Sequence, residues 1–323
     1  MTPLYPLTFK PVLKERIWGG RLLETEYQKS LPAGPIGESW EITDRTEGVS
    51  VIENGPLAGR DLRWLMENHA KQLLGKSHPS SGRFPLLAKI IDARDKLSLQ
   101  VHPSAKSARR FGGELKTELW YVARAKRGSQ LFAGLKRGVT KQKFEAAIRA
   151  GTVAHCFHRI SVRAGDALFL PSGRVHAIGD GIVIFEIQQN SDTTYRVFDW
   201  NRVDDKGRPR DLHIQQSLLS IDFADFKPSL VRAPFSGEKV RCRTLCASPP
   251  FEAREFELEP RTETSIQFES ALVVAVLDGQ IQLQAAKTKL TLRPGGFCLI
   301  PAVCEAVTIS TGGGACLLTA KAD

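Results

Sequence analysis

Short apolar runs separated by turn residues dominate the chain. The runs are rich in Val, Ile, Leu and Phe and are bounded by Gly, Pro, Asp or Ser. Examples are SWEIT, VSVIENG, LSLQVH, ELWYVA, DALFLP, GIVIFEIQQ, ALVVAVLDGQIQLQ and GGFCLIP. Segments of this length and composition are typical of β-strands. The pattern therefore predicts a mainly β fold of the sandwich or barrel type.

A helical period interrupts the strand pattern in three places. Apolar residues recur at intervals of three and four over residues 60–74 and 140–150, and Asp61 and Thr140 are suited to cap the two starts. Residues 212–219 show a third, shorter stretch of the same kind. We expect helices at these three positions.

The pattern changes character near residue 225. Strand signals continue beyond it without another long helical stretch. A chain of 323 residues also exceeds the size at which a single core usually keeps growing. We expect a first domain with helical insertions over residues 1–225 and a second domain over residues 226–323.

The charge balance is strongly basic, with 45 Lys and Arg residues against 35 Asp and Glu and a formal net charge of +10. Such a balance favours an anionic ligand. Nucleic acid is one candidate, but the basic residues are dispersed and no aromatic or helix-turn-helix motif accompanies them. We expect no nucleic-acid partner, whereas a phosphorylated small molecule fits the charge.

Neither a membrane span nor an export signal is recognisable. The longest apolar run covers residues 271–277, far below the roughly 20 residues that cross a bilayer. The six cysteines never stand at the two-residue spacing of a zinc knuckle or a redox pair. We expect a cytoplasmic protein with reduced thiols and no membrane partner. This spacing disfavours the alternative of a four-thiolate zinc site made by Cys242, Cys246, Cys298 and Cys304.

Side chains with metal-binding chemistry lie on and beside the predicted strands. In LSLQVHPSA, Gln100 and His102 are two residues apart and therefore project from the same face of a strand. Glu118 follows sixteen residues after His102, at the start of another strand signal, so a neighbouring strand could bring its carboxylate alongside.

A further histidine ends a segment of specific spacing. Gly165, Pro171, Gly173 and His176 follow the second signature of cupins, which is a glycine, five residues, proline, one residue, glycine, two residues and histidine. Glycine and proline shape a tight turn between two strands, from which the histidine faces the barrel interior. The spacing predicts that His176 joins the other three side chains.

The cupin pattern is incomplete at two positions. Gln100 stands where cupins usually have the first histidine, and Asp180 stands where they usually have asparagine. Taken singly, His102, Glu118 and His176 also have plainer explanations as hydrogen-bonded or solvated side chains. Together with Gln100 their spacing predicts one divalent ion. Two imidazoles, a carboxylate and an amide oxygen suit zinc, manganese or ferrous iron, and an open coordination position is typical of a catalytic metal.

The end of the chain repeats part of this spacing. Gly295 and Pro301 are separated like Gly165 and Pro171, but Ala306 falls at the histidine position. We therefore expect two cupin-type jelly-roll barrels, of which the first is catalytic and the second is metal-free.

Several separate motifs resemble the type I mannose-6-phosphate isomerase family, specifically its shorter bacterial form. They are PLTFKPVLKERIWGG, IGESWEITDR, QVHPS, KTELWY, PSGRVHAIGDG and EIQQNSDTTYRVFDWNR. Their order and spacing are similar to the family's, whereas the C-terminal part of the chain resembles it only weakly. The resemblance implies a zinc-dependent isomerase that interconverts mannose 6-phosphate and fructose 6-phosphate.

The resemblance also implies the residues of the site. One zinc ion per chain would be held by Gln100, His102, Glu118 and His176. Catalytic roles would fall on Lys116, Asp192 and Arg196. Aldose to ketose conversion moves a proton between adjacent carbons through an enediol or enediolate. Zinc would polarise the sugar oxygens, Lys116 would carry a proton, and Arg196 would bind the enediolate or the phosphate. Asp192 would orient Arg196 or handle the proton of the ring oxygen.

The substrate-binding residues are less sharply indicated. Candidate contacts are Trp18, Glu41, Ser104 and Lys106. We expect a hexose phosphate as the substrate and a monomer or weak homo-oligomer. Two other functions stay open from the residues alone. A cupin oxygenase would use the two histidines and the carboxylate for iron, and a non-catalytic cupin would only bind a sugar.

Overall fold

β-Strands form most of the regular structure, as the sequence pattern predicts. The structure is a computed structural model that describes residues 3–77, 79, 81–203 and 206–322. Within these residues the strands are β1 Phe9–Lys10, β2 Val12–Gly20, β3 Ile36–Ile42, β4 Asp44–Arg45, β5 Gly48–Val49, β6 Val51–Ile52, β7 Leu86–Ala93, β8 Leu99–Val101, β9 Glu118–Ala125, β10 Gln130–Leu135, β11 Phe157–Ser161, β12 Ala167–Leu170, β13 His176–Ile178, β14 Ile182–Gln189, β15 Tyr195–Phe198, β16 Val240–Ser248, β17 Phe251–Leu258, β18 Thr262–Gln267, β19 Leu272–Gly279, β20 Ile281–Ala285, β21 Thr288–Leu292, β22 Phe297–Ile300, β23 Ala306–Thr311 and β24 Ala315–Ala322.

Helices are fewer and shorter. The α-helices are α1 Leu22–Thr25, α2 Leu62–Leu74, α3 Ala105–Phe111, α4 Lys141–Arg149 and α5 Ile214–Ser220, and 3₁₀ turns cover Val153–Cys156 and Ala302–Cys304. The predictions for α2, α4 and α5 are confirmed. Asp61 caps α2 by accepting a hydrogen bond from the Trp64 amide at 2.7 Å, and Thr140 caps α4. The sequence pattern does not predict α1 and α3, because α1 has only four residues and the sequence of α3, AKSARRF, has few apolar side chains.

The chain forms two compact units. One consists of Met1–Glu15, Arg21–Ile90 and Arg232–Asp323, and we call it the terminal unit. The other consists of Arg16–Gly20 and Ile91–Val231, and we call it the central unit. The division of the chain into domains over 1–225 and 226–323 stays a prediction.

Two antiparallel sheets build the central unit. One has the strand order β11–β10–β13–β8–β15. The other has the order β12–β9–β14 and continues with residues 91–93 of β7 and 16–20 of β2. Their inward faces share one apolar core that includes Trp120, Leu131 and Ile182. Two sheets around one core form the layered arrangement of a jelly-roll barrel.

The outer face of the five-stranded sheet is covered by α4, α5 and the first 3₁₀ turn. Leu99 and Val101 of β8 belong to the apolar cluster on this face, together with Phe144 of α4. Because side chains alternate along a strand, Gln100 and His102 project to the opposite, inner face. The alternation predicted from the sequence is thus what directs these two side chains into the barrel.

The terminal unit has the same layering with an apolar interior. Its sheets have the orders β16–β17–β24–β19–β22 and β18–β23–β20–β21. The core between them includes Val274, Ile281, Ile300 and Leu317. Ala306, at the position of the second signature's histidine, begins β23. In the described part of this unit, no group of three His, Cys, Asp or Glu side chains converges as a metal site would.

None of the helices among the described residues combines the length and apolar content that crossing a bilayer demands.

Candidate metal centre

Three site residues lie in one row across the five-stranded sheet. Gln100 of β8 is paired with His176 of β13 on one side and with Arg196 of β15 on the other. Directly opposed side chains of antiparallel strands lie on the same face, about 4.5–5.5 Å apart at Cβ. The register therefore aligns an imidazole, an amide and a guanidinium on the inner face of the barrel.

Glu118 comes from the facing sheet. It begins β9, where it is paired with Leu170 of β12 and Gln188 of β14. Glu118 is 1% exposed, as are His102 and His176. A carboxylate this deeply buried requires compensation by positive charge or hydrogen-bond donors.

The polar atoms of these residues converge. Nε2 of His102 lies 2.9 Å from Oε1 of Glu118, and Nε2 of His176 lies 3.7 Å from Oε2. The amide Nε2 of Gln100 lies 3.3 Å from Nε2 of His176. A tetrahedral zinc ion with bonds of about 2.0–2.1 Å separates its ligands by roughly 3.3 Å. The spacing of the two imidazoles and the carboxylate therefore fits a small divalent ion, and the Gln100 amide lies beside them.

The second nitrogen of each imidazole fixes its tautomer. Nδ1 of His102 lies 3.0 Å from the carbonyl oxygen of Thr193, and Nδ1 of His176 lies 2.9 Å from that of Arg174. A carbonyl only accepts, so each Nδ1 donates its proton. In the neutral rings both Nε2 atoms then turn a lone pair toward Glu118. Lone pairs facing a carboxylate repel one another unless a cation lies between them, which is the arrangement expected of metal ligands.

Burial keeps the imidazoles neutral. It lowers the pKa of His176 to about 3. Burial, reinforced by the charge of Lys116, also lowers the pKa of His102. Burial alone would raise the pKa of Glu118, but the ammonium of Lys116 outweighs it and holds this pKa well below the usual range. The centre therefore offers two neutral imidazoles and one carboxylate, which is a set suited to a divalent cation.

Lys116 brings a buried ammonium to the same carboxylate. Its side chain is 4% exposed, and Nζ lies 2.7 Å from Oε1 of Glu118. A second buried carboxylate belongs to Glu186 of β14, and its Oε1 lies 3.9 Å from Nζ of Lys116. Sequence reasoning missed Glu186, because a single acidic residue inside the apolar run GIVIFEIQQ carries no sign of its partner. Its place in the motif EIQQNSDTTYRVFDWNR was the available signal.

Two further arginines, Arg202 and Arg210, follow Arg196 in the chain and pair with Asp199. Asp199 is buried and accepts hydrogen bonds from Arg202 at 2.5 Å and from Arg210 at 2.5 and 2.7 Å. Burial and the charge of Arg210 lower the pKa of Arg196. Arg196 donates from Nη1 to the carbonyl oxygen of Asp211 at 2.8 Å. Among the described residues, Arg196 makes no ion pair with Asp192, which is exposed.

The four candidate substrate contacts have different surroundings. Trp18 is buried in the apolar core of the central unit. Ser104 caps α3, accepting a hydrogen bond from the Ser107 amide at 3.3 Å, and Lys106 is exposed on the same helix. Glu41 belongs to the terminal unit, where it pairs with Lys29 at 2.7 Å. Substrate binding by these four residues stays a prediction.

The alternative four-thiolate site has no support in the structure. All six cysteines are free. In the residues that the structure describes, the converging group of potential ligands is His102, Glu118 and His176.

Comparison with known proteins identifies relatives of the chain. The family model for the phosphomannose isomerase type I catalytic domain matches residues 7–121. A mannose-6-phosphate isomerase from Streptococcus mutans serotype c is 39% identical over 298 residues, which are 92% of each chain. The crystal structure of the mannose 6-phosphate isomerase from Bacillus subtilis has a TM-score of 0.89 at 30% identity and covers 98% of this chain and 99% of that one.

A more distant structure shares the fold. It is a mannose 6-phosphate isomerase that was crystallised with zinc and yttrium, with a TM-score of 0.78, 17% identity and coverage of 98% of this chain and 100% of that one. The sequence relative and the Bacillus structure both cover nearly the whole chain at 30% identity or more. The chain therefore belongs to the type I mannose-6-phosphate isomerase (phosphomannose isomerase) family.

Proposed function

We propose that the chain is a zinc-dependent aldose-ketose isomerase that interconverts mannose 6-phosphate and fructose 6-phosphate. One observation carries this proposal. The lone pairs of two buried, neutral imidazoles face a buried carboxylate, with an amide on one side and a lysine ammonium on the other. Family membership supplies the class of reaction.

Zinc would be held by Gln100, His102, Glu118 and His176. The two imidazoles would bind through Nε2, and Gln100 would have to present Oε1, since only the amide oxygen has a lone pair for a cation. When bound, zinc acts as a Lewis acid that stabilises negative charge on the oxygens of the reacting carbons. The structural relative crystallised with zinc supports the choice of metal.

Lys116 is suited to moving the proton. Its ammonium lies between the carboxylates of Glu118 and Glu186 in a site that is nearly closed to water. A proton carrier must lie within hydrogen-bond reach of the reacting group, and the distance of 2.7 Å from Glu118 puts Nζ next to the ligand set. Glu186 is the group that can balance the charge of Lys116 once Glu118 is engaged by a metal.

Arg196 is suited to binding the anionic parts of the substrate. It neighbours Gln100 across the strand pair, and its guanidinium keeps its charge at every physiological pH. Arg202 and Arg210 both donate to buried Asp199 close by in the chain, whereas Arg196 donates to a backbone carbonyl. A guanidinium group that is not engaged by a carboxylate is suited to binding a phosphate dianion.

The proposal is tested by supplying mannose 6-phosphate to the zinc-loaded protein and measuring fructose 6-phosphate by a coupled assay. We expect turnover that a chelator abolishes. The absence of turnover with mannose 6-phosphate and with related hexose phosphates would contradict the proposal. Consumption of oxygen by the iron-loaded protein would instead support a cupin oxygenase.

A further inference from the structure

The two histidines of the metal centre are held in different ways. Nδ1 of His176 donates to Arg174, two residues earlier on the same turn. Nδ1 of His102 donates to the carbonyl oxygen of Thr193, which is 91 residues away in the sequence. The tautomer and ring orientation of His102 therefore depend on where the segment after β14 is placed.

Two hydroxyl groups help to fix that segment, together with the side-chain amide of Gln188, which donates to the carbonyl oxygen of Ser191 at 2.6 Å. The Thr193 amide donates to Oγ of Ser191 at 3.3 Å, and Oγ1 of Thr193 accepts from the Glu114 amide at 3.2 Å. Oγ of Ser191 in turn donates to the carbonyl oxygen of Glu114 at 3.3 Å. Ser191 is 1% exposed. The amide and the carbonyl oxygen of Glu114 are thus both hydrogen-bonded, the first to the hydroxyl of Thr193 and the second to that of Ser191. These two residues flank Asp192, which is exposed.

Glu114 lies directly before the other half of the centre. Lys116 and Glu118 follow it by two and four residues. The neighbouring backbone packs tightly here, because a Cβ added to Gly113 would lie 2.9 Å from Cγ2 of Thr193. The phenol of Tyr195 donates to the carbonyl oxygen of Gly112 at 3.0 Å. One cluster of contacts therefore fixes both the carbonyl that orients His102 and the segment that carries Lys116 and Glu118.

We propose that Ser191 and Thr193 are positioning residues of the metal centre, which hold His102 in the Nδ1–H tautomer through the carbonyl of Thr193. The inference rests on the proposed binding of a metal at this site. Partners of the second ring nitrogen typically change metal affinity by about 10- to 100-fold when they are lost. Here the partner of His102 is a backbone carbonyl, which cannot be removed by a substitution. Its position can be changed by removing the hydroxyl groups of Ser191 and Thr193.

The test uses Ser191→Ala and Thr193→Val, with Thr193→Ser as the conservative variant that keeps the hydroxyl. Thr194→Val is the matched control, because it removes the same group one residue further on, where the described part of the chain gives that hydroxyl no hydrogen-bond partner. Two readouts are needed. One is the zinc affinity measured by competition with a chelator. The other is the ¹⁵N NMR spectrum of the histidine rings in the metal-free protein, which reports the tautomer of His102.

We expect Ser191→Ala and Thr193→Val to weaken zinc binding by about 10-fold and to mix the His102 tautomers. Thr193→Ser and Thr194→Val should behave like the wild type in both readouts. Unchanged zinc affinity and an unchanged tautomer in folded Ser191→Ala would overturn the inference, as would equal losses in Thr194→Val. If Thr193→Val does not fold, Ser191→Ala decides by the same two readouts.

The failure of this inference can be told apart from failure of the proposed function. A wild-type protein that binds no zinc contradicts the function, whereas the tautomer in the metal-free protein still tests the positioning. A wild-type protein that binds zinc and turns over, with variants that match it, contradicts the positioning alone.

Discussion

Lys116 is buried, although lysine side chains are almost always exposed to water. An ammonium is rarely buried unless it is paired, and here it lies between two carboxylates. A purely structural ion pair would also satisfy it. The two roles differ in what happens to the reaction when the ammonium is removed.

We predict that Lys116→Met lowers kcat for mannose 6-phosphate roughly 10²- to 10⁴-fold, the usual contribution of a positioned proton carrier. The zinc content should persist, because the metal itself balances the carboxylate of Glu118. Steady-state kinetics together with metal analysis of the same sample checks both points. The control is Lys126→Met, which removes an exposed lysine of the same unit. A zinc-loaded Lys116→Met protein with wild-type kcat would show that the lysine has only a structural role.

Some residues of the site can be predicted from local sequence patterns and others cannot. His102 and Gln100 follow from the two-residue period of a strand, and His176 follows from a turn with defined glycine and proline positions. Glu186 and Thr193 do not, because their roles arise from pairings between distant strands. Thr193 acts through its backbone carbonyl, which every residue has, so its side chain gives no chemical signal of that contact.

The turn between β12 and β13 positions His176, which is the first residue of β13. Gly173 in this turn has φ of +90°, and its amide donates to the carbonyl oxygen of His102 at 3.3 Å. An added Cβ would lie 3.0 Å from the carbonyl oxygen of Ser220. Gly165, before β12, has nearly the same φ of +88° but open space around it.

Comparing alanine substitutions at Gly165 and Gly173 distinguishes the cost of a positive φ from the cost of a steric contact. We predict that Gly165→Ala costs about 1–2 kcal/mol of unfolding free energy, which is the penalty for a side chain at positive φ. Gly173→Ala should cost more and should also weaken zinc binding, because the Cβ pushes on the turn that ends in His176. Chemical denaturation and chelator competition measure the two effects. Equal stability losses with unchanged zinc affinity in both variants would rule out this role of the turn.

Longer elements were the easier ones to predict. The apolar runs of β9, β14 and β19 and the capped helices α2 and α4 are visible in the sequence because their periods extend over eight or more residues. α3 is not, since its seven residues AKSARRF include three cations and few apolar side chains. It is defined by its cap at Ser104 and by contacts with α5 rather than by a period of its own.

At the scale of the whole molecule, charge is divided unevenly between the two units. The central unit has 24 Lys and Arg residues against 15 Asp and Glu, a net charge of +9, whereas the terminal unit has a net charge of +1. The unit that contains the metal centre therefore carries nearly all of the net positive charge. A potential of this sign raises the local concentration of an anionic substrate.

We predict that kcat/KM for mannose 6-phosphate falls roughly 10-fold when the ionic strength rises from about 0.01 M to about 0.1 M. The change should appear in KM, because screening acts on the encounter and not on the closed site. A nonionic osmolyte at matched osmolality is the control. Rates that do not depend on salt would contradict a steering role for the charge.

The division of the chain into two compact units is difficult to predict from local sequence patterns. Residues 1–15 and 21–90 share a compact unit with residues 232–323 through contacts such as the bridges Leu7–Leu299 and Gly75–Ser270. Contacts over such sequence distances leave no periodic signal. The predicted domains over 1–225 and 226–323 rest on chain length and on the change of pattern near residue 225, and they stay a prediction.

We propose that turnover of mannose 6-phosphate by this chain depends on one zinc ion held by Gln100, His102, Glu118 and His176. The most direct measurement titrates zinc into chelator-treated protein and follows the formation of fructose 6-phosphate at each step. We expect no turnover without metal and a rate that rises linearly to a plateau at one zinc per chain. Full turnover by the metal-free protein, or no turnover at the plateau of zinc binding, would contradict it.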